Sequence, residues 1–270
     1  MTGMNRTFSI EMLRAGAHLL RVGHRAGSHS GPPLLLFNGI GGNIELLEPF
    51  ARSMSRELIV FDLPGVGHSP LPPRPYRLGT ISRLATTVLD HFGHQRCDVL
   101  GISWGGAAAQ QFARSESERC RRLVLCATAT GSVMIPASPS VLWKMMTPAR
   151  FIRPGYAQRI AGDIYGGDFR RDPSLASEVF RHVRWQSRLG YYFQLGAAAG
   201  WTSIHWLHTL KQPTLLMAGE DDPIVPLANA RLMRWLIPNS ELKVLDCGHL
   251  FLLTRTRESA SAIEEFLDRP

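Results

Sequence analysis

The chain has no apolar run approaching the ~20 residues that a membrane-crossing helix needs. Its first residues, Met1 to Glu11, contain no apolar core of signal-peptide length. Both absences lead us to expect a cytoplasmic protein with no transmembrane segment. Cysteine is scarce: Cys97, Cys120, Cys126 and Cys247 show neither the paired spacing of a metal site nor the density of a disulfide framework. Cys97 and Cys126 fall in apolar, strand-like runs, which suits buried free thiols. Long Lys/Arg blocks are also missing. The 30 basic residues exceed the 22 acidic ones, for a net charge of +8, but the arginines are dispersed. No nucleic-acid-binding motif is recognisable. The charge therefore reads as a basic surface, with no nucleic-acid partner expected. What remains is a globular composition, 44% hydrophobic and 19% charged over 270 residues. That suits one large domain, or a domain with an insertion.

The apolar runs are short and repeat. Residues 6–12 and 17–22 alternate as an opening hairpin would. Leu34-Leu35-Leu36-Phe37, Leu58-Ile59-Val60-Phe61, Val99 to Ile102 and Leu123-Val124-Leu125-Cys126 read as strands covered on both faces. Helical spacing lies between them at Glu45–Met54 and at Leu78–Phe92, where Ile81, Leu84, Val88 and Leu89 share a face. The alternation breaks after Ala127 and resumes at Pro213. Thr214–Ala218 and Leu242–Leu245 are then strands, and Leu227–Leu236 and Ser259–Leu267 helices. The expected fold is a mainly parallel sheet with helices on both faces. The interval from Gly131 to Trp206 has short helical stretches, prolines and 12 of the 23 aromatic residues. It reads as a helical insertion that caps the sheet. The division is 1–130 with 207–270 as the core and 131–206 as the cap.

The sharpest local pattern is Gly101-Ile102-Ser103-Trp104-Gly105. It ends an apolar run and passes directly into the helix-favouring Ala107–Phe112. A Gly-x-Ser-x-Gly turn from strand to helix is the context of a nucleophile elbow, which exposes the serine hydroxyl above a helix N-terminus. A serine hydroxyl needs a base, and the base an orienting carboxylate. Of ten histidines, His249 stands directly after the last strand, in Cys247-Gly248-His249, where an open α/β sheet gathers its functional groups. After the preceding strand stands Gly219-Glu220-Asp221-Asp222-Pro223-Ile224-Val225-Pro226. This order of serine, acid and histidine is similar to that of α/β-hydrolases. Their Gly-x-x-Asp-x-x-Val-Pro pattern falls on Asp222, with Asp221 the alternative. Two backbone N–H groups must meet the oxyanion. One is that of Trp104, and the other is expected from the loop Asn38-Gly39-Ile40-Gly41-Gly42-Asn43, at Ile40.

The resemblance goes beyond the fold. Phe37–Gly41, Phe61–Gly67, Gly101–Gly106, Ile164–Gly167 with Phe169–Pro173, Gly200–His208, Ala218–Pro226 and Asp246–Leu252 resemble the intracellular, medium-chain-length poly(3-hydroxyalkanoate) depolymerases. The similarity runs from about residue 34 to the C-terminus and includes the cap. It implies a Ser103–Asp222–His249 triad that hydrolyses esters of a stored aliphatic polyester through an acyl-enzyme, with no metal or organic cofactor. The implied partners are a hydrophobic polyester or acyl-ester substrate and the storage-granule surface. The competing readings are a carboxylesterase or lipase on small acyl esters, and an acyltransferase with the same triad.

The candidates for an apolar substrate cleft are Met134, Trp143, Met146, Tyr192 and Trp201, with Ile135, Met145, Tyr191 and Phe193 as further apolar cap residues. Arg150, Arg153, Arg159, Arg170, Arg171, Arg181, Arg184 and Arg188 make the insertion basic, as a face toward a granule coat would be.

Overall fold

The computed structural model describes residues 7–153, 155–180 and 187–269. Eight strands form a single sheet: β1 (Ser9–Ala15), β2 (His18–Arg25), β3 (Leu34–Phe37), β4 (Leu58–Phe61), β5 (Cys97–Ile102), β6 (Cys120–Cys126), β7 (Thr214–Gly219) and β8 (Ser240–Leu245). Their spatial order is β1-β2-β4-β3-β5-β6-β7-β8. The opening hairpin pairs antiparallel, β2 pairs antiparallel with β4, and every pairing from β4 through β8 is parallel.

Alternate residues of the central strands enter two different cores, as the two-residue period of a strand requires. Leu35, Ile59, Val99, Leu123 and Leu216 face one core. Leu34, Leu58, Leu100, Val124 and Leu215 face the other. This is why those strands read as unbroken apolar runs. The first face is covered by α2 (Leu78–His91), α3 (Trp104–Ser115) and α10 (Leu227–Leu236), and the second by α1 (Glu48–Arg52), α11 (Phe251–Thr254) and α12 (Thr256–Asp268). In α2, Leu78, Ile81, Ala85, Val88 and Leu89 are buried at helical spacing. Each such leucine, isoleucine or valine contributes about 1.5–3 kcal/mol by leaving water.

Several edges differ from the sequence reading. β6 starts at Cys120 rather than Leu123 because Arg121 pairs with the buried Asp98 of β5, at 2.8 Å from Nε and 2.6 Å from the terminal nitrogen. A charged residue at the mouth of a strand hides the strand's first turn from an apolar count. β8 starts at Ser240, since an edge strand tolerates Glu241 and Lys243 facing outward. The final helix begins at Thr256, preceded by the separate turn α11. All four cysteines are buried free thiols, as expected of Cys97 and Cys126.

Between β6 and β7 lie α4 (Pro139–Met145), α5 (Ala149–Ile152), α6 (Tyr156–Tyr165), α7 (Gly167–Arg171), α8 (Leu175–Phe180) and α9 (Arg188–Ala198). The two ends of this segment meet: Gly131 bridges Thr202, Ser132 N donates to Trp201 O at 2.8 Å, and Ser203 N donates to Thr130 O at 2.9 Å. A small separate core of Ile160, Ala161, Ile164, Tyr165, Phe169 and Ala176 holds its middle together, and Ile224 and Leu250 of the sheet loops pack against it. No described helix is long and apolar enough to cross a membrane.

Candidate active site

Ser103 sits between β5 and α3 with φ 54° and ψ −116°, one of two non-glycine residues at positive φ among those described. Such backbone costs about 1–3 kcal/mol and persists only where the surroundings over-determine it. Here Ser103 N donates to Cys126 O at 2.9 Å, and the Ser103 carbonyl accepts from Gly106 N at 2.9 Å and from the Thr128 hydroxyl at 2.7 Å. The turn closes only because its glycines lack side chains. A Cβ at Gly101 would collide with the Gly105 carbonyl and Ala109, and one at Gly105 with the Phe37 carbonyl of β3.

The loops after β7 and β8 bring Asp222 and His249 to this serine. The Ser103 hydroxyl donates to His249 Nε2 at 3.0 Å, and His249 Nδ1 donates to Asp222 Oδ2 at 2.7 Å. Accepting from Nδ1 fixes the imidazole tautomer that leaves Nε2 free to receive a proton. The other Asp222 oxygen accepts from Ile224 N and Val225 N, both at 2.9 Å. Asp222 and His249 are both buried. Asp221, the alternative acid, points elsewhere: it accepts from Arg170 at 2.6 Å and from Gly167 N at 2.8 Å. Burial raises the neighbouring Cys247 thiol to about 12, so it is no rival nucleophile near neutral pH. Among the described residues no three His, Cys, Asp or Glu side chains are grouped to hold a metal.

The Ile164–Gly167 corner between α6 and α7 clamps both loops. His249 N donates to Tyr165 O at 2.7 Å, and the Tyr165 ring stacks over the imidazole with centroids 6.5 Å apart. At α7, the buried Asp168 accepts from Arg255 at 3.0 and 2.7 Å, a bidentate link to the start of α12.

The two expected oxyanion donors lie on segments joined by a residue the sequence reading passed over. Gln194 of α9 is fully buried. Its Oε1 accepts from Gly41 N at 2.9 Å, and its carbonyl accepts from the Trp104 indole at 2.8 Å. It therefore ties the glycine loop bearing Ile40 to the turn bearing Trp104. The glycine loop is held from below by Asp62, which accepts from Ile44 N at 2.9 Å and from Arg21 at 3.0 Å. Gln194 carried no signal in a single sequence, because a buried amide in a mixed helix resembles any polar surface residue.

Ser103, His249 and Ile40 open on a cavity whose walls are mostly apolar: Leu46, Ile102, Met145, Phe151, Ile224, Leu250 and Leu253 are among them. Of the apolar cap residues, Met145 is on the wall. Met134, Trp143, Met146, Tyr192 and Trp201 are not. In α4 the inward face carries Val141 and Met145, one turn apart, so Trp143 (79% exposed) and Met146 point outward. Tyr192 is turned away by the same geometry, because its neighbour Tyr191 is the buried one. Trp201 packs against Trp206 and donates to Gln111 of α3 at 2.9 Å, outside the cavity. Met134 adjoins Ile135, whose backbone is bound to Asn229 of α10. The basic face is also reduced: Arg170 pairs with Asp221, Arg171 with Asp246, and Arg150 is buried inside. Arg181 and Arg184 lie outside the described residues.

The family model of the alpha/beta hydrolase fold matches residues 32–256. The chain is 50% identical over 252 residues to a poly(3-hydroxyalkanoate) depolymerase of Ectopseudomonas oleovorans, covering 93% of this chain and 89% of that protein. It is 30% identical over 275 residues to a 2-hydroxymuconate semialdehyde hydrolase of Pseudomonas putida, covering 93% and 94%. Among solved structures, the enol-lactonase of Burkholderia xenovorans LB400 superposes with a TM-score of 0.81 at 19% identity, over 96% of this chain and all of that one, which speaks for the fold. With a strand-to-helix serine turn, a matching family model and a relative sharing half its residues along nearly the whole length, the chain belongs to the α/β hydrolases and, within them, to the poly(3-hydroxyalkanoate) depolymerase family.

Proposed function

We propose that this enzyme hydrolyses the ester bonds of medium-chain-length poly(3-hydroxyalkanoate), or of its oligomers, through an acyl-enzyme on Ser103. The observation that carries the reading is the hydrogen-bonded run Asp222–His249–Ser103 opening on an apolar cavity. In this mechanism His249 takes the Ser103 proton as the hydroxyl attacks the ester carbonyl. The N–H groups of Ile40 and Trp104 receive the oxyanion. His249 then protonates the departing hydroxyalkyl oxygen. A water molecule, deprotonated by the same imidazole, hydrolyses the acyl-enzyme and frees the serine. The chemistry asks for no metal or organic cofactor.

Residues 131–206 act as the cap in this reading. They place Met145 and Phe151 on the wall that receives the alkyl side chain, and Gln194 across the oxyanion donors. Leu142 and Trp143, exposed side by side on α4, suit contact with a hydrophobic granule surface.

The test is release of 3-hydroxyalkanoic acids from purified medium-chain polymer, beside a short-chain polymer and a p-nitrophenyl acyl ester series. Ser103→Ala is the control. Release from the medium-chain polymer that disappears in the variant supports the reading. Turnover of soluble esters with none of either polymer would replace it with a general esterase.

A further inference from the structure

Among the described residues, Arg150 is the one Lys, Arg, Asp or Glu on the cavity wall that also carries Ser103 and His249. It is 4% exposed. Its guanidinium lies 4.4 Å from the Phe151 ring centroid and 5.4 Å from that of Tyr191. One terminal nitrogen reaches the Thr147 carbonyl at 3.5 Å, and Nε has no hydrogen-bond partner among the described residues. The Tyr165 and Tyr191 hydroxyls accept hydrogen bonds from the guanidinium. Burial raises Tyr165 to about 12 against the pull of Arg150, and raises Tyr191 as well. Both are neutral near pH 7 and supply no counter-charge.

Two other buried guanidiniums, those of Arg21 and Arg56, are treated differently. Arg21 is met by Glu45 and Asp62, and Arg56 by Glu264, Asp268 and Asp98. Taking a permanent cation out of water is costly unless an anion meets it. No carboxylate of the described residues pairs with Arg150. A planar fork of donors held by two rings in an apolar cavity is suited to bidentate capture of a carboxylate.

We propose that Arg150 forms a carboxylate-binding subsite that receives the free acid end of the substrate. This rests on Ser103 being the nucleophile. In a 3-acyloxyalkanoate, two carbons separate the ester oxygen from the carboxylate carbon. A carboxylate held at Arg150 thus presents the last ester of a chain, or the ester of a dimer, to Ser103. Attack breaks that acyl–oxygen bond. The acyl group stays on Ser103, the leaving oxygen takes the proton from His249, and one 3-hydroxyalkanoate departs. Water completes the cycle. The enzyme thereby shortens its substrate from the carboxyl end, one unit per turnover.

The experiment compares 3-(octanoyloxy)octanoic acid with its methyl ester. For the wild type we expect kcat/KM at least tenfold higher for the acid, chiefly through KM. Arg150→Met, which keeps length and apolar packing, should reduce the acid's kcat/KM at least tenfold more than the ester's. Arg150→Lys should restore part of the difference. Equal hydrolysis of acid and ester by the wild type, or an undiminished preference in Arg150→Met, would overturn the subsite. Two further readings need no Arg150 variant to fold. Octanoate should inhibit the wild type competitively where octanamide does not. Calorimetric binding of octanoate to Ser103→Ala should persist. Equal inhibition by the two compounds, or no binding, counts against the subsite. If binding persists while the wild type hydrolyses no polymer, the polyester reading fails and the subsite stands.

Discussion

The sheet and the helical segment between β6 and β7 build the same cavity by different means. The sheet delivers Ser103, Asp222 and His249 from loops at the ends of β5, β7 and β8, where strand register and backbone hydrogen bonds leave little choice of position. The segment delivers Met145, Arg150, Phe151 and Tyr165 from short helices packed on several neighbours at once. In the proposed reading the sheet side sets the chemistry, and the helical side sets which acyl chain fits and whether the oxyanion donors are held in place. Substitutions on the two sides should therefore differ in kind as well as size.

The largest effects fall on the sheet side. Asp222→Asn should lower kcat on p-nitrophenyl octanoate by ~10⁴, since the amide favours the wrong imidazole tautomer. Asp221→Asn should stay within a few-fold, its partners being Arg170 and Gly167. Comparable losses in the two would erase the distinction that the geometry draws between adjacent carboxylates. Gly105→Val forces a side chain into the β3 backbone. We expect more than ~3 kcal/mol of destabilisation, read as loss of soluble protein or a large fall in melting temperature.

Intermediate effects belong to the contacts between the two sides. Gln194→Leu removes the acceptor for Gly41 N. It should lower kcat by ~10-fold with little change in KM, because one oxyanion donor loosens without being deleted. A rise in KM alone would mean that Gln194 serves substrate packing. Asp168→Asn should cost ~1–3 kcal/mol by breaking the bidentate link to Arg255. Burial pushes the Asp168 carboxyl up, but Arg255, with Thr254 and Arg171, outweighs it and holds it below its ordinary value. The link's contribution is then complete above the unfolded carboxylate value, near 4, and is lost as pH falls through the lower folded value. Denaturant midpoints of wild type and variant should converge in strong acid.

The smallest effects lie within the segment and separate its inner from its outer face. Met145→Ala should reduce kcat/KM several-fold for octanoyl and longer esters and leave acetyl esters nearly alone. Met146→Ala should change neither by more than about twofold. A reversed order would mean that α4 presents its other face to the substrate.

That last pair also shows where the sequence was readable. The nucleophile turn, the acid loop and the His249 loop were legible because each combines a strand end with residue types that few other structures require, such as glycines at a close approach beside Ser103. The choice of Asp222 over Asp221 came from a pattern; in the structure Asp222 meets His249 and Asp221 meets Arg170. The cleft was poorly legible. Trp143, Met146, Tyr192 and Trp201 are as apolar as Met145 and Phe151, and composition cannot say which side of a seven-residue helix faces inward. The strand starts at Cys120 and Ser240 were hidden by Arg121 and Glu241, whose charges are met by Asp98 and Arg269. Gln194 was silent, and Arg150 was read as part of a basic outer face, for a related reason. A buried polar side chain looks like a surface one until its surroundings are seen.

The central claim is that Ser103 carries the acyl group. Titration with an alkyl fluorophosphonate, followed by intact-mass and peptide mass spectrometry, tests it most directly. The account predicts one adduct per chain, on Ser103, with ester and polyester hydrolysis falling in proportion to labelling and no adduct in Ser103→Ala. Hydrolysis that survives complete labelling, or an adduct that maps to another residue, would contradict it.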